Sequence, residues 1–231
     1  MKFYQSLILN FSTKQNANLA FHVQDDPSTV IQNHQRLAKE LGYEYKNLVH
    51  MKQIHSNIVK IVDQNDNFTN PPTCDGLITN KKETPLMVMV ADCSPILFYD
   101  DVKNIIAVAH AGRAGAFGNI VQNVIKSFIN DFDSDPKNIK VEVGPAICQK
   151  CYEVGVEIVK EAHSLRLEYA VLQKKERYYL DIRAILKKQL LHESVLDNNI
   201  KISNICNCCD DNYYSYREDK KCGRFAGIIS L

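Results

Sequence analysis

Residues 27–41 read PSTVIQNHQRLAKEL, and Val30, His34, Leu37 and Leu41 recur three or four positions apart. That period places them on one face of an α-helix. Asp26 and Ser28 suit its start and Gly42 its stop. The same period in residues 119–130, with Ile120, Val124, Ser127 and Phe128 in line, predicts a second helix. Two more are predicted over residues 153–163 and 182–191.

Elsewhere the apolar residues gather in short runs bounded by turn residues. These are LVHM (48–51), NIVKIV (57–62), PLMVMVADC (85–93), PILFYD (95–100), IIAVAHA (105–111), NIKVEVGP (138–145) and RYYLDI (177–182). Such runs predict strands, several of them buried on both faces. From residue 201 the chain passes through KISNIC, a Cys and Asn cluster, YYSYRED and the apolar GIISL, which predicts strands ending the chain inside a sheet. Tyr213, Tyr214 and Tyr216 are placed on a half-buried strand. Helices and strands mix without a regular βαβ rhythm, and no repeat or linker divides the chain. The prediction is a layered α+β fold in one domain spanning residues 1–231.

Composition narrows the function classes. Lys plus Arg number 28 against 27 Asp plus Glu, for a net charge of +1, so there is no basic footprint for nucleic acid. The apolar run at residues 7–9 is too short for a signal segment, and no stretch is long enough to span a bilayer, so a cytoplasmic protein without a membrane partner is expected. Eight cysteines in a chain of 231 residues are expected as reduced thiols rather than a disulfide framework.

Three residues at the ends of predicted strands carry candidate chemistry: His55 in KQIHS, Cys93 in VADCSP and His110 in VAHAG. Imidazole and thiolate are zinc ligands, and three of them leave a fourth position for water, the open coordination of a catalytic site. No pair has CxxC or HxxxH spacing, so pattern alone leaves a second reading open: a metal-free hydrolase with Cys93 as nucleophile and His110 or His55 as base. Asp92, next to Cys93, is a candidate proton carrier or partner of a metal-bound group, or a strand-end cap. The segment GRAGAFG before the second helix offers flexible backbone N–H groups at Gly112 and the Arg113 side chain to an anion. Cys148, Cys151, Cys206, Cys208 and Cys209 form thiol clusters that could build a separate structural zinc site.

The motifs QIHS, CDGLIT, PLMVMVADCSPILFYD, AHAGRAGAFGNIV, VEVGPAICQKCYEVG, YYLDIRAILKKQL and YSYREDKKCGRFAGIISL occur in this order. Together they resemble the laccase-domain family, labelled multicopper polyphenol oxidoreductases and related to purine nucleoside phosphorylases. The resemblance runs from about residue 11 to the last residue. It implies a layered α/β sandwich, metal ligands at His55, Cys93 and His110, and an enzyme taking nucleoside and phosphate as a monomer or weak homodimer. The implied reactions are phosphorolysis of adenosine, inosine and methylthioadenosine, with adenosine deamination alongside. Arg183, Arg217 and Arg224 fall on family-like positions suited to phosphate or purine. Zinc is the expected metal; seven histidines are too few and too scattered for a multicopper cluster, although a Cys and His site also accepts copper, so a copper-loaded phenol oxidase is a further alternative. The chain departs from the family in three places. HAGRAG stands for HAGWRG, an early Gly-rich segment is shortened to STKQNANLAFHV, and a CxxC replaces the adjacent cysteines of CCYEV.

Overall fold

A computed structural model describes residues 7–231. Its first helix, α1 (Pro27–Leu41), has the predicted bounds: the Asp26 carboxylate accepts from Thr29 N–H, Pro27 fills the first turn, and Gly42 ends the helix at φ 80°.

The described residues form twelve strands, eight of them on the apolar runs; Ile8–Phe11, Gly76–Thr79, Glu153–Val154 and Val171–Lys174 are strands outside those runs. An antiparallel sheet has the order β1 (Ile8–Phe11), β12 (Phe225–Ser230), β4 (Leu86–Val90). A six-stranded mixed sheet has the order β11 (Ile200–Ile202), β7 (Ile139–Val143), β5 (Ser94–Asp100), β6 (Ile105–Ala111), β3 (Gly76–Thr79), β2 (Val59–Ile61). Its outer pairs, β11 with β7 and β3 with β2, are parallel and the inner pairs antiparallel. A small antiparallel sheet joins β8 (Glu153–Val154), β10 (Arg177–Leu180) and β9 (Val171–Lys174).

Strand alternation shows how the layers stack. In β4, Met87 and Met89 pack with Leu37 and Ala38 of α1, while Val88 and Val90 face Leu97, Ile106 and Val108 of the large sheet. The large sheet turns Ile96, Phe98, Ala107 and Ala109 the other way, onto α3 (Ile120–Phe132) and α5 (Ile182–His192) through Val121, Val124, Phe128, Ile185 and Leu186. The result is a mixed α+β sandwich of helix, sheet, sheet and helices, with both central sheets covered on each face. Phe98 is wholly buried at its centre, and truncation to alanine there costs about 3–5 kcal/mol.

Several predicted boundaries shift. The run 48–51 contributes only an isolated bridge from Val49 to Leu86. The predicted strand 85–93 stops at Val90, because residues 91–93 turn the chain from the small sheet into the large one, with Asp92 at φ 85°. The helix predicted over 153–163 starts later, as α4 (Val156–Ser164), because Glu153 and Val154 pair with Tyr179 and Tyr178. Tyr213, Tyr214 and Tyr216 do not form a strand: residues 207–224 are turns and loop, held by side-chain bonds to Asp92 rather than by a ladder. Among the described residues, no helix is long and apolar enough to cross a membrane.

Candidate functional site

His55, Cys93 and His110 come from separate parts of the fold and converge. His55 lies in the loop before β2, Cys93 at the corner between β4 and β5, and His110 near the end of β6. Their ligand atoms all lie within 4.8 Å of one another. The two imidazoles meet edge to face at 4.8 Å between centroids.

Asp75, the residue before β3, organises this convergence. Its buried carboxylate accepts from the N–H groups of Ile54, His55 and Ser56 at 3.2, 3.0 and 2.7 Å, from Ser56 Oγ at 2.7 Å, and from His110 Nδ1 at 2.8 Å. Its carbonyl also accepts from His110 N–H at 2.7 Å. The loop that carries His55 at φ 58° is therefore folded around a single carboxylate. With Nδ1 tied to Asp75, Nε2 is the His110 ring atom left for a ligand. Sequence reading missed Asp75 because Asp75-Gly76 looks like an ordinary turn; CDGLIT served only to mark the resemblance.

The electrostatics follow from this packing. Burial pushes the Asp75 carboxyl up, but bonds from His110 and Ser56 outweigh it and bring it down to about 2. Burial likewise opposes ionisation of Cys93, yet the adjacent His110 and His55 bring its thiol down to about 6. Burial would lower His110, but Cys93 and Asp75 raise it to about 9. Without a metal, each group favours the charged form of the other, thiolate beside imidazolium.

Gly112 explains how the thiol fits. A Cβ there would lie 2.8 Å from Cys93 Sγ and 3.5 Å from His55 Cδ2, so the backbone reaches the sulfur only without a side chain. The expected flexible loop after Gly112 is instead a short helix, α2 (Arg113–Phe117), with Gly112 as its N-cap.

The triad opens onto a cleft of about 1370 Å³. Phe21, Phe68, Tyr216, Met51 and Met89 supply apolar wall. Lys52, Arg113, Arg217, Lys220 and Arg224 also line it, against Asp92 as its one acidic residue. Even with Arg113 paired to Glu161, the lining carries more positive than negative charge and favours an anionic ligand.

The remaining predicted residues divide. Asp92 does not orient a histidine: its Oδ1 accepts from Asn207 Nδ2 at 2.9 Å and Ser215 Oγ at 2.8 Å, and its Oδ2 from Arg217 N–H at 2.7 Å. It fastens the C-terminal loop to the cleft floor. Arg113 lines the cleft, paired with Glu161 of α4 and lying over Phe117. Arg217 lines it too, donating to the carbonyls of Cys151 and Glu153 with its guanidinium over Tyr152. Arg224 lies over Tyr216. Arg183 is not at the cleft, and the expectation that it reaches substrate is corrected: its guanidinium donates to the carbonyls of Ala146 and Ile205. His34 and His50 are occupied as core residues, bonding through Nε2 to the carbonyls of Leu19 and Phe68. Phe21 and Phe68 went unnoticed in sequence because neither belongs to a periodic run.

A layered mixed α+β fold with a Cys and two His at a cleft now has a family around it. The profile of the multi-copper polyphenol oxidoreductase laccase family matches residues 10–231, and the chain belongs to that family. It is 32% identical over 217 residues to a purine nucleoside phosphorylase of Streptomyces coelicolor, covering 94% of this chain and 88% of that one. It is 34% identical over 218 residues to one of Corynebacterium glutamicum, covering 93% and 86%. The solved structure of the hypothetical protein YfiH of Bacillus licheniformis superimposes with a TM-score of 0.92 at 28% identity, over 97% of this chain and 92% of that one.

Proposed function

We propose that this protein is a zinc-dependent purine nucleoside phosphorylase that acts on adenosine, inosine and methylthioadenosine and also deaminates adenosine. The observation that carries the reading is the convergence of two imidazoles and one thiol on a cleft lined by aromatic residues and five cations. The purine nucleoside phosphorylases among its relatives support the substrate class.

The donor set fits the metal. Two His and one Cys, with ligand atoms within 4.8 Å and Gly112 giving the sulfur room, are a three-ligand zinc arrangement. Zinc held by His55, Cys93 and His110 would supply a Lewis acid. Asp75 fixes the ring orientation of His110 and the backbone of the His55 loop. Arg113, Arg217 and Arg224 supply positive charge for phosphate, and Phe21, Phe68 and Tyr216 offer faces for a purine. In phosphorolysis a phosphate oxygen bonds to the anomeric carbon as its bond to the purine nitrogen breaks, and the purine leaves with a proton. In deamination water replaces the amino group and ammonia leaves. We place the protein in the cytoplasm, as a single-domain monomer or weak homodimer.

The test is elemental analysis together with chromatography of adenosine and inosine reactions, with and without phosphate, beside folded His55→Ala and Cys93→Ala. The expected outcome is phosphate-dependent release of purine and pentose phosphate, lost in both variants along with zinc. Intact nucleosides in the presence of bound zinc would refute the substrate assignment.

The depressed Cys93 thiol beside a raised His110 favours one alternative, a metal-free hydrolase with Cys93 as nucleophile. Alkylation separates the two: a zinc-bound Cys93 resists the reagent until a chelator is added, and a free nucleophile does not.

A further inference from the structure

A second cluster lies apart from the cleft triad. Cys148 and Cys151 sit in the turn after β7, and Cys206 and Cys209 in the loop after β11; all four sulfurs lie within 4.8 Å of one another. We propose that Cys148, Cys151, Cys206 and Cys209 hold one zinc ion as a closed structural site joining these two loops.

The two halves share one local geometry. Both have CxxC spacing. The Cys148 carbonyl accepts from the N–H groups of Cys151 and Tyr152, each at 3.0 Å, and the Cys206 carbonyl accepts from those of Cys209 and Asp210, each at 3.0 Å. Two equivalent turns thus present two thiols each to a common centre. A parallel bridge between Ala146 and Cys206 holds them in register.

The surroundings of Cys206 suit a thiolate. Cys148 N–H donates to Cys206 Sγ at 3.2 Å. Arg183 donates to the carbonyls of Ala146 and Ile205, next to both turns, and so brings a positive charge beside the sulfurs. A tetrahedral ion with zinc–sulfur bonds of about 2.3 Å needs sulfurs about 3.8 Å apart. The Cys151 to Cys209 separation of 3.2 Å and the outer limit of 4.8 Å bracket that value. Two disulfides would need only pairwise approach, whereas here four sulfurs converge. Binding displaces the four thiol protons and involves no oxidation. Four protein ligands leave no open position, which makes the site structural.

The experiment empties the cleft triad and counts what remains. Protein purified under reducing conditions as His55→Ala/Cys93→Ala should retain about one zinc per chain, and the further substitution Cys148→Ser/Cys206→Ser should remove it. In wild-type protein, mass mapping of alkylated thiols should show Cys148, Cys151, Cys206 and Cys209 protected, with a rise of about tenfold or more in their labelling after chelation, while Cys208 and Cys222 change little. Cobalt substituted into the cleft-emptied variant should show tetrahedral absorption with sulfur charge transfer. A cleft-emptied variant without metal, free labelling of the four thiols before chelation, or disulfides among them would each overturn the proposal. Failure of the cleft zinc alone would leave these readouts unchanged, so the two assignments are tested separately.

Discussion

The cleft triad and the four-thiol cluster are neighbours built on opposite plans. The triad draws its donors from a loop, a sheet corner and a strand, at positions 55, 93 and 110, with left-handed backbone at His55 and at Asp92 beside Cys93. The cluster draws on two regular turns with no positive φ in either. Asp92 joins the two, accepting from Asn207 of one thiol turn while its own carbonyl accepts from Ile147 N–H beside the other. Strain is concentrated where three donors must face an open cleft, and it is absent where four donors close on themselves.

The contrast predicts a ranked set of effects. Cys93→Ala should cost turnover on the order of 10³-fold or more and stability only about 1 kcal/mol, since the small side chain lines the cleft and touches the core at one edge. Nucleoside assays beside thermal denaturation check this; a large loss of Tm would show that the triad is structural as well.

Asp75→Asn should lower activity and metal affinity by about 10–100-fold and destabilise by on the order of 3 kcal/mol, because five donors converge on a buried charge. The pH sign is definite. Asp75 has its folded value near 2, below the ordinary 3.8. Its stabilisation is complete above the ordinary value and is lost as pH falls through the interval down to about 2, so denaturant titrations of Asp75→Asn should lack that acid slope.

Gly112→Ala places a methyl group 2.8 Å from the Cys93 sulfur. Activity should fall by about tenfold or more, with the four-thiol cluster untouched, as metal analysis and kcat would report. In chelator-treated protein, the Cys93 alkylation rate should rise to a plateau above about pH 6, rather than near the ordinary thiol value. The smallest effect belongs to Arg113→Gln. Its partly exposed pair with Glu161 contributes about 0.5 kcal/mol or less to stability, and the change should appear as a several-fold rise in KM for phosphate.

What could be read from the sequence depended on how local the cause was. α1, α3 and α5 follow from an apolar period and caps within the segment itself, and β5 and β6 from unbroken apolar runs. The turn between β4 and β5 did not show, since it depends on Asp92 adopting φ 85° to move the chain between sheets. The triad was reached through residue type and family motifs; Asp75 was not, because its role exists only once β3 lies beside β6. The second CxxC, Cys206 to Cys209, was visible but obscured by the intervening Cys208. Arg183 looked like an anion ligand, and only the fold shows both carbonyls that hold it.

Strand β12 is the middle strand of its sheet, between β1 and β4. While a ribosome has yet to add residues 225–230, β1 and β4 have no partner between them and α1 has only part of its platform. Helix formation around the large sheet can precede this, but insertion of β12 pairs Ile8 with Ser230 across nearly the whole chain. A contact of such long range is slow to form, so insertion of β12 should be a late stage of folding, and until then the apolar faces of Met87 and Met89 stay open to chaperones.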